Sequence, residues 1–221
     1  MAAYRQVQRA THRATLLAFA AVVLGLYTLI WGAELLFPRS MASAIAVVAA
    51  TALGAWLVRP GWNLRPRPLA RHWLALLALL VVSAAVAAWF LSVAAVPIPY
   101  DVSTGAIARA IPAVLVVTGI EELLFRQVLY RWLERRQLSS RSIVGATALA
   151  FAGAHLGPIF IGSSVGATFH LLQSGYMVWV GFLLGRLRNA TGSWPMAWLG
   201  HFVYNVTILY VLSLLTRGGG G

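Results

Sequence analysis

The chain contains no cysteine, which excludes disulfides, thiolate zinc sites and a cysteine nucleophile. Lysine is absent as well: all 17 basic residues are arginine, a bias to which no mechanism attaches. Acidic residues number only five, and charged residues make up 10% of the 221 positions. With 60% hydrophobic residues and a mean hydropathy of +0.80, so little charge leaves no room for a separate water-soluble domain.

What is present instead is apolar sequence in runs that can cross lipid, which takes about 20 residues per helix. Seven such segments can be drawn, at residues 14–37, 41–58, 72–96, 106–130, 142–156, 165–184 and 195–215. The fifth is short and stops at Gly157-Pro158, and the fourth contains Pro112, so six or eight spans are also compatible. Short spans and helix breaks are tolerated where protein, not lipid, surrounds them. The expected fold is all-α, a polytopic transmembrane helix bundle of about seven helices. Residues 1–100 would supply the N-terminal helices, 101–217 a core and 218–221 a flexible glycine tail. The first run follows Arg5, Arg9 and Arg13, as in a signal peptide. It outruns the roughly 7 to 15 residues of a signal core and leads straight into another span, so it is read as a retained helix.

A formal charge of +12 invites a nucleic-acid reading, but the arginines punctuate the apolar runs and line no single face. They cluster at residues 5–13, 59–71, 131–141 and 186–188, in every second connection. Of the intervening connections, 38–40 carries one arginine, 97–103 only Asp101, and 157–164 no charge. Because cytoplasmic loops accumulate arginine, this alternation predicts a multi-pass protein of the cell membrane with its N-terminus in the cytoplasm and its C-terminus outside. The lipid bilayer is the expected partner and nucleic acid is not. No internal repeat suggests a transporter built from two halves.

Ionised groups inside these runs need a reason, since one at the bilayer centre costs at least about 2.5 to 3.5 kcal/mol on insertion scales. The fourth segment carries two adjacent ones, Glu121 and Glu122, followed by Arg126. Side chains four apart share a helix face, so Arg126 can pair with Glu122. Glu121 lies about 100° around the helix at 3.6 residues per turn and is left with an open task, which suits a general base. The fifth segment contains Phe151 and His155, and the seventh His201 and Asn205, again four apart. With the alternating topology, Glu121, His155, His201 and Asn205 can lie at similar depth.

Glu121-Glu122 with Arg126, Phe151 with His155, and His201 with Asn205 resemble the EExxxR, FxxxH and HxxxN motifs of the CPBP family, which includes CAAX prenyl endopeptidases of the Rce type and bacterial Abi proteins. The resemblance covers about residues 105–215, including Gly181 to Gly185 and Thr191-Gly192-Ser193, and the catalytic core would be the last four helices. It implies an intramembrane endopeptidase acting on a membrane peptide or protein. Glu121 and His155 would act on the water and His201 and Asn205 on the oxyanion, while Glu122 and Arg126 would be a structural pair. The same Glu121, His155 and His201 could instead ligate zinc, as in hydrolases with three protein ligands and an open position. Asparagine beside His201 serves an oxyanion better than a metal shell, so no cofactor is favoured.

Other readings stand beside these. A non-catalytic scaffold or bacteriocin-immunity-type protein of the same fold is the alternative, although it has no need of a buried Glu121. A proton-coupled transporter would use Glu121 as a relay. His170 and Gln173 share a face of the sixth segment and can border the site or act as polar glue between helices. Glu34 reads as an interfacial residue, His12 and His72 as surface groups, and tryptophans such as Trp31, Trp56, Trp73 and Trp194 as interfacial anchors. Substrate, cleavage site and oligomeric state have no sequence signal.

Overall fold

A computed structural model describes residues 73–94, 98, 101–156 and 167–218. The first two expected spans, with Glu34, His12 and His72, lie outside the described residues. All of the latter fall in one unit of the chain, Thr51–Gly221. The described secondary structure is entirely helical: α1 (Trp73–Val93), α2 (Thr104–Glu122), a π-helical segment (Leu123–Leu129), α3 (Tyr130–Arg135), α4 (Ser140–Ala154), α5 (Ala167–Thr191) and α6 (Trp194–Gly218).

Local chemistry sets several of these boundaries. Ser103 caps α2 by accepting from the Ala106 amide at 3.3 Å, and Asp101 accepts from the Ser103 amide at 2.8 Å. Ser139 caps α4 through the Ser142 amide at 3.2 Å. Between these caps, α2, the π segment and α3 run without interruption, so the fourth expected span extends from Thr104 to Arg135. Gln137, in the left-handed region at φ 57°, then turns the chain toward α4.

Among the described residues three helices, Trp73–Val93, Ala167–Thr191 and Trp194–Arg217, are long and apolar enough to cross a membrane. Their packing follows membrane logic, with small residues inward and large ones outward. On α1, Ala84, Ala87 and Ala88 are buried while Leu74, Val82, Val86, Trp89 and Phe90 are exposed. Helix α6 packs on α1 and α2, and α5 packs chiefly on α4. At one end of the bundle Ala88, Leu91, Phe169 and Leu212 form a common core. At the other end Tyr130 donates to Asn189 Oδ1 at 3.2 Å.

Helix α5 continues to Thr191, beyond the expected end at 184. The sequence reading took Arg186 and Arg188 as a loop, but both are helical. Arg188 is buried, donates from Nε to the Arg126 carbonyl at 3.1 Å, and lies over the Tyr130 ring. An arginine that finds internal acceptors can remain in the bundle, and the charge pattern alone does not reveal them.

The α4–α5 contact depends on Gly181 and Gly185. A Cβ at Gly181 would lie 3.0 Å from the Ala148 Cα and 3.1 Å from the Phe151 ring, and one at Gly185 would lie 3.0 Å from Val144. Two glycines four apart thus face Val144 and Ala148, also four apart. Gly181→Ala is expected to force α4 and α5 apart at a cost of about 1 to 3 kcal/mol. Thermal unfolding of the detergent-solubilised protein checks this, and an unchanged midpoint would contradict the close approach.

Candidate active site

The three sequence motifs converge on the ring of Phe151, which is fully buried in α4. His155, one turn further, meets that ring edge-on at a centroid distance of 4.9 Å, and His201 of α6 does so at 5.3 Å. Phe125 of the π segment makes a third edge contact at 5.5 Å. The Arg126 guanidinium lies over the ring, 4.4 Å from its centre. One aromatic side chain therefore spaces two imidazoles and an arginine contributed by three different stretches of chain.

Arg126 has no solvent exposure. Its NH2 donates to the Gly181 carbonyl at 3.0 Å, joining the π segment to α5. Its NH1 lies 3.2 Å from Glu122 Oε1, the ion pair that the spacing predicts. Glu122 is equally buried, whereas the Glu121 side chain is 31% exposed. Of the two carboxylates, Glu121 is the one that a solvent molecule or substrate can reach.

His201 is buried between the two glutamates. Its Nδ1 lies 3.0 Å from Glu122 Oε1 and its Nε2 3.7 Å from Glu121 Oε2. The motif reading assigned His201 an oxyanion role and no partner; the fold pairs it with Glu122. Since a carboxylate only accepts, Nδ1 carries the proton in that bond. His155 is held in a parallel way, with Nδ1 2.9 Å from the Phe151 carbonyl oxygen. A carbonyl also only accepts, so the neutral His155 ring presents an Nε2 lone pair.

Asn205 lies one turn beyond His201 on α6 and is half-buried. Between them in sequence, Tyr204 is fully buried and stacks on Tyr176 at 6.3 Å. His170 and Gln173 contact each other through Nδ1 and Oε1 at 3.3 Å, and His170 packs on Phe169. No hydrogen bond or ion pair joins them to Glu121, His155 or His201 among the described residues. The structure thus brings together Glu121, Glu122, Arg126, His155 and His201, and leaves His170 with Gln173 as a separate polar contact.

Two contacts of this group had no sequence signal. Gly181 supplies its carbonyl to Arg126 because α5 can approach closely there, and Glu122 serves His201 as well as Arg126. Both contacts link residues far apart in the chain and become visible only once the helices are packed.

No curated protein and no solved structure matches the chain. A family comparison does: residues 102–207, from the start of α2 through the HxxxN motif, match the family described as type II CAAX prenyl endopeptidase Rce1-like. The matched stretch contains every residue gathered around Phe151, and the match supports a CAAX protease family for the chain.

Proposed function

We propose that the protein is an intramembrane endopeptidase that hydrolyses a peptide bond with a water activated by Glu121 and His155. The observation that carries this reading is the convergence of an accessible carboxylate, Glu121, and the imidazoles of His155 and His201 around Phe151. In the proposed step the water is held between Glu121 and the lone pair of His155 Nε2. Its oxygen attacks the scissile carbonyl carbon while its proton passes to Glu121. The oxyanion that forms is met by the Asn205 amide and His201 Nε2. Collapse of this intermediate breaks the C–N bond, and the proton on Glu121 goes to the departing amine.

His201 can donate from Nε2 only when its ring carries both protons, because Nδ1–H is committed to Glu122. With Arg126 and His201 each positive and Glu121 and Glu122 each negative, the buried group then has no net charge. That balance favours the oxyanion role in surroundings where an unpaired charge is costly. The arginine-bearing end of α3, with Arg135 and Arg136, is assigned to the cytoplasmic face by the preference of cytoplasmic loops for arginine. With the seven spans expected from the sequence, this orientation corresponds to a cytoplasmic N-terminus and a C-terminus outside.

The family description names prenylated CAAX substrates, so a quenched fluorescent peptide with a farnesylated cysteine four residues from its C-terminus is the natural probe. In vesicles containing the full chain, Glu121→Gln is expected to lower turnover by roughly 10² to 10⁴-fold. His155→Ala should fall in the same range, and Asn205→Ala should lose about 10² to 10³-fold in kcat. Cleavage undiminished in Glu121→Gln would overturn the proposed role of that residue.

A zinc ion would take His155 Nε2, His201 Nε2 and Glu121, and both rings are held at Nδ1 as ligating histidines usually are. Among the described residues, however, no three histidine, cysteine, aspartate or glutamate side chains gather closely enough to hold a metal. We favour the metal-free reading, in which no step passes through a metal. Peptide cleavage should therefore persist after prolonged dialysis against a strong chelator. Activity lost on dialysis and restored by stoichiometric zinc would reverse this assignment.

A further inference from the structure

Glu122 is poorly explained as a partner for Arg126 alone. Its contact with Arg126 NH1 at 3.2 Å is an ion pair without hydrogen-bond geometry, and NH1 makes no hydrogen bond. A carboxylate built to hold an arginine commonly engages it through two parallel bonds. Here Glu122 Oε2 accepts from neither Arg126 nor any other described residue, while Arg126 NH2 turns to the Gly181 carbonyl. The well-formed bond of Glu122 is the one that Oε1 accepts from His201 Nδ1 at 3.0 Å.

We infer that Glu122 is the positioning residue of His201: its carboxylate fixes the proton on Nδ1 and the plane of the ring, so that Nε2 is the atom directed at Glu121 and at the substrate. Arg126 then neutralises and anchors that carboxylate. Three groups close on the His201 ring and limit its alternatives: Glu122 at Nδ1, Glu121 at Nε2 and the Phe151 ring beside it. Without the Glu122 carboxylate at Nδ1, His201 would lose both the acceptor of that proton and the anion that balances a doubly protonated ring. A neutral ring with no fixed plane is a weaker donor to the oxyanion. Glu122 thereby keeps His201 Nε2–H directed at the oxyanion, although its own side chain touches neither water nor substrate.

The inference rests on the endopeptidase reading for its kinetic consequences but not for its structural one. Two double variants isolate it. Glu122→Met with Arg126→Met removes the ion pair as a unit and leaves neither of its charges unpaired, a replacement that folded proteins often accept. Glu122→Gln with Arg126→Met also removes the pair but keeps an acceptor oxygen for His201. The full-length protein in lipid nanodiscs, with ring-nitrogen ¹⁵N-labelled histidine, is assigned by comparison with His201→Gln.

In the wild type, His201 should carry a proton on Nδ1. The Met/Met variant should lose that Nδ1 proton and about 10²-fold in kcat on the farnesylated peptide, with KM within about twofold. The Gln/Met variant should retain the Nδ1 proton and turn over at least tenfold faster than Met/Met. Identical His201 spectra and rates in the two variants would mean that Glu122 serves Arg126 only, and would overturn the inference. A wild-type ring with Nδ1 unprotonated would do so whether or not the variants fold. If the wild type cleaves no peptide yet shows the expected spectra, the endopeptidase reading fails while the positioning role stands.

Discussion

A guanidinium with no exposure to solvent has to be answered entirely by protein, and the arrangement around Arg126 is that answer. One nitrogen meets Glu122, a second meets the Gly181 carbonyl, and the plane covers Phe151. Each contact comes from a different stretch: the end of α2, the middle of α5 and the second half of α4. Truncating a buried charge partner leaves the other charge unpaired, at a cost of about 3 to 5 kcal/mol. Helices α2, α4 and α5 are thus held in register by one side chain, and the site residues lie within a turn or so of its partners.

That register gives adjacent glutamates different tasks. On a helix, neighbouring residues point about 100° apart. Glu122 therefore faces the bundle interior, where Arg126 and His201 both reach it, and Glu121 faces a region that remains partly open. Two carboxylates of identical chemistry become a buried anchor and an accessible base by a single step along the chain. His201 touches both, and so the anchor and the base communicate through one imidazole.

Contacts within one turn of helix were legible in the sequence. The Glu122–Arg126 pair and the shared faces of Phe151 with His155 and of His201 with Asn205 all follow from a spacing of four, and the helices at 73–93, 140–154 and 194–218 lie within a few residues of expectation. What could not be read was any bond between helices. His201 and Glu122 are 79 residues apart, and Arg126 and Gly181 are 55 apart. Glycine at 181 suggests a close approach, but not which carbonyl it exposes or to which side chain. The end of α5 was misplaced for a related reason: arginine marks a loop unless a buried acceptor awaits it, and the acceptor of Arg188 lies 62 positions away.

That acceptor is the carbonyl of Arg126 itself, within the π-helical segment. A π turn replaces the usual i→i+4 hydrogen bonds with i→i+5 bonds, a poorer arrangement that persists where surroundings compensate it. Here all seven residues from Leu123 to Leu129 are buried, so the segment is enclosed on every side where an ordinary amphipathic helix would bury one stripe. Irregular backbone at membrane depth is tolerated when protein encloses it and side chains supply the bonds it lacks. Arg188 supplies one such bond to the same residue whose guanidinium organises the site. The two buried arginines thus act in series: Arg188 braces the widened backbone at Arg126, and Arg126 holds Glu122, on which the orientation of His201 depends.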